Sequence, residues 1–260
     1  MIGIFDSGVG GMTVARAVEK LLPDYRITYF GDLARTPYGS KSPATIVEYA
    51  IQNTEFLLAQ GAKLIIVACN SAASVATETL RQRFTVPLFE VITPAIDKAI
   101  IATPSGKIGV IGTVATIKSG VYDREITRRN PQLKVYSQPC PLLVPLVEEG
   151  WLDARETKMI VRRYLYPLKQ KQVDTLVLGC THYPLLKELI SQRIGKKKVT
   201  LIDSSAEVAH SLKAFLETHP EIEQSLAKVG ENRYYVSDVT SAAAAIAQMI
   251  FGRPIQLIKT

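Results

Sequence analysis

Two stretches of this sequence, Leu64-Ile-Ile-Val-Ala-Cys69-Asn70-Ser71 and Leu176-Val-Leu-Gly-Cys180-Thr181-His182, share one pattern. Each is an apolar run of strand length that ends at a cysteine, continues with small polar residues and leads into a helical pattern. Such short apolar runs between helices are typical of strands buried in a parallel sheet. A thiol at this junction faces the positive end of the following helix, which favours the reactive thiolate. Because the pattern occurs twice, we predict a reaction that uses one thiol on each side of a substrate.

The alternation of strands and helices continues along most of the chain. Helical periodicity is clearest over residues 43–60, where Pro43 suits the first turn and Gly61 suits the C-terminal end. Short apolar strands separated by helices predict an α/β fold with doubly wound parallel sheets. The predicted strands are 2–5, 27–30, 64–68, 88–92, 107–111, 133–137, 175–178, 199–202 and 234–237.

A faint internal repeat divides the chain into two halves. Ile2-Gly-Ile-Phe-Asp6-Ser7-Gly8 resembles Ile108-Gly-Val-Ile-Gly112-Thr113, and the two cysteine motifs are separated by a similar number of residues. We therefore predict two similar doubly wound domains. The first comprises residues 1–93 plus 207–260, and the second comprises residues 94–206. Ligands bind at the carboxyl ends of the strands in such folds, so we expect the active site in the cleft between the domains.

Composition and charge exclude several classes of protein. A chain of 260 residues with 47% hydrophobic residues buries a substantial core. It starts directly with a strand pattern and has no apolar run of membrane-spanning length, so we expect a cytoplasmic protein that does not contact membranes. The net charge is +7, but the basic clusters at 128–129, 162–163 and 196–198 are scattered and lack interleaved aromatic residues. We therefore expect no nucleic-acid partner.

The cysteine pattern argues against a disulfide framework and against a metal site. Three cysteines are an odd number, and the chain contains neither Cys-x-x-Cys nor His-x-x-x-His. The third cysteine, Cys140, lies between two prolines, and we predict that it is a buried packing residue.

The loop Asp6-Ser7-Gly8-Val9-Gly10-Gly11 after the first strand leaves two alternatives open. It resembles part of a dinucleotide-binding fingerprint, with Asp32 near the position of a ribose-binding acid. However, Thr13 replaces the third glycine, and the Asp6 carboxylate stands where a pyrophosphate would approach. We favour a loop whose backbone N–H groups approach a small anion such as a carboxylate.

The residues that follow the cysteines have both a functional and a structural interpretation. Asn70, Ser71 and Thr181 suit the binding of a substrate carboxylate, but Ser71 and Thr181 equally suit helix capping. His182 is near enough to exchange a proton with Cys180, or it is a structural hydrogen-bonding residue.

Other candidate residues carry weaker signals. As isolated acids, Asp32 and Glu148 are expected at the surface. Pro37-Tyr38-Gly39-Ser40 predicts a turn, in which Tyr38 either closes over a cleft or lies on the surface.

Taken together, the motifs resemble those of glutamate racemases in the cofactor-independent aspartate/glutamate racemase superfamily. Any one of them is a weak signal, whereas the set spans most of the chain in the family's order and is specific. The matching segments are Ile4-Phe-Asp6-Ser7-Gly8-Val-Gly-Gly, Gly31-Asp32-x-Ala-Arg35-x-Pro37-Tyr38-Gly39, Ala68-Cys69-Asn70-Ser71-Ala72, Leu178-Gly179-Cys180-Thr181-His182-Tyr183-Pro184 and Ile202-Asp203-Ser204.

The resemblance implies an isomerase that interconverts L- and D-glutamate without a cofactor, forms a homodimer and supplies D-glutamate for peptidoglycan synthesis. It makes Cys69 and Cys180 the paired acid and base, supported by Asp6 and His182 respectively. Glu148 matches a further acid of the family's site, although the adjacent Glu149 makes that alignment ambiguous. The residues implied in substrate binding are Asp6, Ser7, Tyr38, Gly39, Asn70, Ser71, Thr181 and His182.

Three rival functions remain open on the sequence. The first is a sister racemase that acts on aspartate or another small acid. The second is a decarboxylase or isomerase on the same scaffold, although such an enzyme can work with one cysteine. The third is an amino-acid-binding protein without catalytic activity, which the retention of both thiols disfavours.

Overall fold

The computed structural model describes residues 1–260, which form ten strands and twelve α-helices. All nine predicted strands are present within two residues of their predicted ends, and a tenth, β10, was not predicted. The strands are β1 (Ile2–Asp6), β2 (Ile27–Gly31), β3 (Leu64–Val67), β4 (Leu88–Glu90), β5 (Lys107–Gly112), β6 (Lys134–Pro139), β7 (Thr175–Gly179), β8 (Thr200–Asp203), β9 (Arg233–Val236) and β10 (Leu257–Lys259).

The helices alternate with these strands along most of the chain. Their bounds are α1 (Met12–Leu21), α2 (Pro43–Ala59), α3 (Asn70–Arg83), α4 (Ile92–Ala102), α5 (Val114–Lys118), α6 (Val121–Arg129), α7 (Leu143–Glu148), α8 (Arg155–Gln170), α9 (Lys187–Ile194), α10 (Ser204–Thr218), α11 (Pro220–Ser225) and α12 (Ser241–Phe251). Short 3-10 helices span Leu33–Arg35, Tyr38–Ser40 and Tyr183–Leu186.

The strands form two parallel sheets, which confirms the predicted α/β fold. The first sheet has the order β10-β9-β2-β1-β3-β4, and the second has the order β6-β5-β7-β8. Every residue of β1, β2, β3 and β7 is buried, as expected for strands covered by helices on both faces. The carboxyl ends of β1 and β3 in one sheet, and of β5 and β7 in the other, carry the candidate site residues.

The chain returns to the first sheet after leaving the second. Strands β9 and β10 extend the first sheet beyond β2, while α10 and α12 pack against α1. Helix α4, in which the predicted boundary at residues 93 and 94 falls, packs against β7 and β8 of the second sheet and against α10. The division into residues 1–93 plus 207–260 and residues 94–206 stays a prediction.

The two sheets share part of one hydrophobic core. The larger cluster of buried residues is built around the first sheet but includes Ile108, Val110, Val177 and Ile202 from the second. A smaller cluster fills the outer part of the second sheet and includes Cys140, as predicted for a packing cysteine. Apolar side chains of both sheets are therefore packed together in one cluster.

Local sequence explains where several helices begin. The side chains of Ser42, Thr113, Asp203 and Thr240 each accept a backbone N–H in the first turn of α2, α5, α10 and α12. Gly61 follows α2 with a φ of 88°, a conformation that L side chains rarely adopt. No helix combines the length and the apolar character needed to cross a bilayer.

Candidate active site

Cys69 lies between β3 and α3, deep in the cleft. Helix α3 begins at the next residue, so the thiol sits at the helix N-terminus as the sequence predicts. The Cys69 Sγ donates to the Ser7 Oγ at 3.5 Å, and only 4% of the residue is exposed. Ser7 comes from the loop after β1, which neighbours β3 in the sheet. Parallel pairing of two adjacent strands therefore brings these two residues together.

Cys180 occupies the matching position after β7, but its partner is an imidazole. The Cys180 Sγ lies 3.8 Å from the His182 Nδ1, and both residues are buried. On the other side of the ring, the His182 Nε2 lies 3.2 Å from the Glu148 Oε1, although these atoms are not aligned as a hydrogen bond. Glu149 is exposed, so the structure brings Glu148 rather than Glu149 to the site. The expectation that Glu148 is a surface acid is wrong, because α7 directs it at His182.

Asp6 connects the two halves at the base of the cleft. Its Oδ2 accepts the Gly8 N–H at 3.0 Å, and its Oδ1 accepts the Thr181 hydroxyl from the second domain at 3.3 Å. Burial raises the pKa of Asp6, although the charge of His182 and the N–H groups of Gly8 and Gly11 oppose this effect. The carboxylate is thus fully enclosed, between the first domain's loop and the turn that carries Cys180.

The glycines of the loop after β1 serve close packing. A Cβ at Gly10 would lie 2.5 Å from the His182 Nδ1, and a Cβ at Gly11 would lie 2.2 Å from the Asp6 Cβ. Because Gly10 and Gly11 have no side chains, the side chains of His182 and Asp6 fill the space beside them. That space is therefore not available to the phosphates of a dinucleotide. Our expectation that the loop is open for a small anion is incomplete, because the Gly8 N–H already binds the Asp6 carboxylate.

Hydroxyl groups from both domains meet beside the N-terminus of α3. Ser71 Oγ lies 2.9 Å from Thr113 Oγ1, which lies 3.0 Å from Thr116 Oγ1. Thr113 lines the cleft but was not among the predicted site residues. Its signal was present, since it follows β5 at the position where the repeat places Ser7. A helix N-terminus with nearby hydroxyl donors is suited to a carboxylate.

Tyr38 is a buried wall of the cleft, which decides between its two predicted placements. Its hydroxyl donates to Asp32 Oδ2 and accepts from Asn53 Nδ2. Asp32 also accepts Arg35 Nε at 2.6 Å and Ser237 Oγ at 3.0 Å. The expectation that Asp32 is exposed is wrong: it is fully buried, because these three donors satisfy its charge.

Electrostatics differ between the two thiols. Burial and then the Asp6 carboxylate raise the pKa of Cys69 to about 12, more than the hydrogen bonds from Ser7 and the Ala72 N–H lower it. The helix N-terminus favours the thiolate, as expected, but burial and Asp6 outweigh it in this closed cleft. Burial lowers the pKa of His182, but the neighbouring Cys180 and Glu148 side chains outweigh burial and raise it to about 10. The protonated imidazole thus lies beside the Cys180 Sγ.

The cleft between these residues is nearly closed. The cavity between them has a volume of only about 20 Å³. Gly39 helps to close it, since a Cβ there would lie 2.7 Å from the Thr113 Cβ across the cleft. The lining residues are Ser7, Pro37, Tyr38, Gly39, Cys69, Asn70, Ser71, Thr113, Val144, Cys180, Thr181 and His182. This space is too small for an amino acid, so substrate binding requires a wider cleft.

Comparisons with known proteins identify the family. A family model described as Asp/Glu/Hydantoin racemase matches residues 12–212. The chain is 45% identical over 251 residues to the glutamate racemase of Geobacter metallireducens, which covers 96% of this chain and 92% of that protein. The chain belongs to the glutamate racemase family.

Solved glutamate racemases share the whole fold. Isoform RacE1 from Bacillus anthracis superposes with a TM-score of 0.93 at 37% identity, covering 100% of this chain and 97% of that chain. The glutamate racemase from Francisella tularensis, solved in complex with D-glutamate, superposes with a TM-score of 0.90 at 36% identity, covering 100% of this chain and 96% of that chain. As a glutamate racemase family member, the chain is an amino-acid isomerase, and the rival of an inactive amino-acid-binding protein is set aside.

The structure brings the predicted site residues into one cleft. The predicted residues that line this cleft are Ser7, Tyr38, Gly39, Cys69, Asn70, Ser71, Cys180, Thr181 and His182. Asp6 lies directly behind Thr181, and Glu148 lies directly behind His182. The two sides come from different domains, as the internal repeat predicts. No three histidine, cysteine or acidic side chains form a group with the arrangement of a metal site.

Proposed function

We propose that this glutamate racemase family member interconverts L- and D-glutamate with two thiols, Cys69 and Cys180, and without a cofactor. One thiolate removes the α-proton from one face, the opposing thiol protonates the other face, and the roles exchange in the reverse direction. The placement of Cys69 and Cys180 at equivalent strand ends, on opposite domains of one cleft, carries this proposal. The glutamate-bound structure of the Francisella relative supports glutamate as the substrate.

The polar groups of the cleft fit the three charged groups of glutamate. The N–H groups at the start of α3 and the Ser71 and Thr113 hydroxyls suit one carboxylate. The Asp6 carboxylate lies just behind the cleft, where it accepts the Thr181 hydroxyl, and we include it in substrate binding by resemblance. The loop of Tyr38 and Gly39 lies on the remaining side of the cleft. We assign substrate binding to these residues, together with Ser7, Asn70, Thr181 and His182.

The α-proton of an amino acid is weakly acidic, so the cleft must stabilise a carbanion. Hydrogen bonds to the α-carboxylate strengthen as negative charge develops on it, and they are most effective where water is excluded. The nearly closed cleft supplies that exclusion. Asp6 and His182 act as supporting groups for Cys69 and Cys180, and Glu148 orients His182 from behind.

Further parts of the proposal rest on the family alone. By resemblance, the product D-glutamate serves peptidoglycan synthesis, and the enzyme works as a cytoplasmic homodimer. We propose no nucleic-acid partner, since Arg128, Arg129 and Lys196 of the basic clusters already pair with acidic side chains.

Proton NMR of the purified protein with L-glutamate in D2O tests the proposal, with optical rotation followed in parallel. We expect loss of the α-proton resonance together with decay of the rotation to zero. Cys69→Ser and Cys180→Ser are expected to lower racemisation at least roughly 1,000-fold. Cys140→Ala, which changes a thiol outside the cleft, is the matched control. Near-parental racemisation by both single serine variants would exclude the two-thiol mechanism, and an unchanged spectrum with glutamate would move the test to aspartate.

A further inference from the structure

One side chain of the second domain touches the neighbours of both thiols. Tyr122, on α6, is 1% exposed, and its hydroxyl donates to the Asn70 Oδ1 at 2.8 Å. Its ring packs on Gly179, where a Cβ would lie 3.4 Å from the Tyr122 Cε2. Asn70 directly follows Cys69, and Gly179 directly precedes Cys180. Tyr122 therefore spans the distance between the two cysteine turns.

A second connection runs from the same asparagine to the same strand. The Asn70 Nδ2 donates to the Ser204 Oγ at 3.4 Å, and the Ser204 Oγ donates to the Leu178 carbonyl at 3.1 Å. Leu178 lies in β7, two residues before Cys180. The Asn70 amide is thus held from two directions, and both connections end beside Cys180.

The groups in these connections are neutral throughout a catalytic cycle. Burial raises the pKa of Tyr122 well above its ordinary value, so the hydroxyl remains a donor to Asn70. Asn70, Ser204 and the Leu178 carbonyl do not titrate. The spacing that they impose is therefore independent of which thiol carries the proton.

We propose that Tyr122 is a positioning residue that sets the spacing between the two thiols; this inference rests on the proposed two-thiol mechanism. Racemisation requires the α-carbon to lie within reach of one sulfur on each face, so it is sensitive to small changes in that spacing. Removal of the Tyr122 hydroxyl leaves the Asn70 Oδ1 without its donor and releases one of the two connections. A reaction that uses only one thiol is affected far less.

Tyr122→Phe tests this inference when racemisation is compared with elimination of HCl from 3-chloroglutamate. In the elimination, one thiolate takes the α-proton and chloride leaves the β-carbon with the C–Cl bonding pair. The resulting enamine hydrolyses to 2-oxoglutarate and ammonium, and no proton is needed on the opposite face. We expect kcat for racemisation to fall roughly 10- to 100-fold, with KM and the elimination rate within about threefold of the parent.

Two further variants keep the test decisive. Tyr234→Phe is the matched control, because Tyr234 is buried on β9 and its hydroxyl contacts Glu19, outside the cleft. It is expected to retain both reactions. Ser204→Ala releases the second connection, and we expect a smaller selective loss of racemisation; it replaces Tyr122→Phe as the decisive variant if that protein fails to fold.

The inference is overturned if Tyr122→Phe racemises glutamate within about twofold of the parent, or if racemisation and elimination fall by the same factor. Failure of the two-thiol mechanism has a different signature, because Cys69→Ser and Cys180→Ser would then retain racemisation whatever Tyr122→Phe does.

Discussion

The two cysteine turns have the same position in their sheets but different proton partners. Cys69 contacts a serine hydroxyl and lies near the buried Asp6, whereas Cys180 lies beside an imidazole that is backed by Glu148. The first environment holds a protonated thiol, since burial and the Asp6 charge raise the pKa of Cys69 to about 12. The second keeps a proton within reach of the sulfur. A repeated backbone pattern therefore does not make two chemically identical thiols.

This asymmetry suits a reaction that needs one base and one acid at the start of each turnover. Thermodynamics, however, prevents the rates of racemisation in the two directions from reporting this asymmetry. L- and D-glutamate are enantiomers of equal free energy, so kcat/KM for racemisation must be equal in both directions for every variant. Damage to one side is consequently measured only by a one-sided reaction, such as elimination from each enantiomer of 3-chloroglutamate.

After the two cysteine variants, the largest expected effect comes from His182→Asn, which removes the proton partner of Cys180. We expect racemisation to fall roughly 100- to 10,000-fold, because proton transfer to and from Cys180 loses its general acid–base group. Elimination should fall to a similar extent for the enantiomer whose α-proton faces Cys180, and much less for the other. The measurement is the rate of 2-oxoglutarate formation from each enantiomer.

Asp6→Asn provides the opposite comparison, because Asp6 lies on the Cys69 side. Elimination by Asp6→Asn should therefore fall mainly for the enantiomer whose α-proton faces Cys69. Equal losses from both enantiomers in both variants would mean that Asp6 and His182 serve the cleft as a whole and that the two sides are not separable.

The sequence predicted the strands and both cysteine turns because these depend on local patterns. The hydrophobic periodicity, the strand length and the polar residues after Cys69 and Cys180 can each be read from a few consecutive residues. The burial of Asp32 and the span of Tyr122 depend on contacts between distant segments, whereas Thr113 was overlooked although the internal repeat places it opposite Ser7. Asp32, for example, accepts from the local residues Arg35 and Tyr38, but also from Ser237, which lies 205 residues further along the chain and which no local pattern predicts. Strand β10, a three-residue edge strand, was not predicted.

Asp32→Asn tests whether the buried Asp32 carboxylate holds the loop of Tyr38, which lines the cleft. The change leaves the half-buried Arg35 guanidinium without its ionic partner, so the free energy of unfolding should fall by about 1–3 kcal/mol. Because Tyr38 loses part of its support, we expect KM for glutamate to rise more than kcat falls. Urea unfolding and steady-state kinetics provide the two measurements.

Glu188→Gln is the matched control for that carboxylate-to-amide change. Glu188 pairs with Lys196 on the surface, where ion pairs contribute little to stability. Its unfolding midpoint and KM should match the parent. A parental midpoint for Asp32→Asn as well would show that the buried carboxylate does not stabilise the loop of Tyr38.

The buried Cys69 thiol also predicts an alkaline loss of stability. The folded thiol keeps its proton to about pH 12, whereas an unfolded thiol loses it near pH 9.0. Above pH 9 the folded state therefore binds more protons, and the free energy of unfolding falls as the pH rises. Between pH 8 and pH 10.5 the parent should lose about 2 kcal/mol more than Cys69→Ser, in which this titration is absent. Equal losses by urea unfolding would show that Cys69 is not desolvated in solution.

The smallest expected effect belongs to Cys140→Ala. This variant tests whether the position of a cysteine at a strand end is enough to make it react, or whether the surrounding residues decide. Cys140 also follows a strand, β6, but prolines flank it, and its buried thiol makes one hydrogen bond, to the Gln138 carbonyl at 3.5 Å. The loss of one buried sulfur should cost about 1 kcal/mol in thermal or urea unfolding, and racemisation should stay within about twofold of the parent. Strong loss of racemisation in a folded Cys140→Ala protein would mean that a thiol at a strand end matters wherever it lies. With the expected result, the polar residues that follow Cys69 and Cys180 are what distinguish a reacting thiol from a packing one, because all three cysteines share the strand-end position.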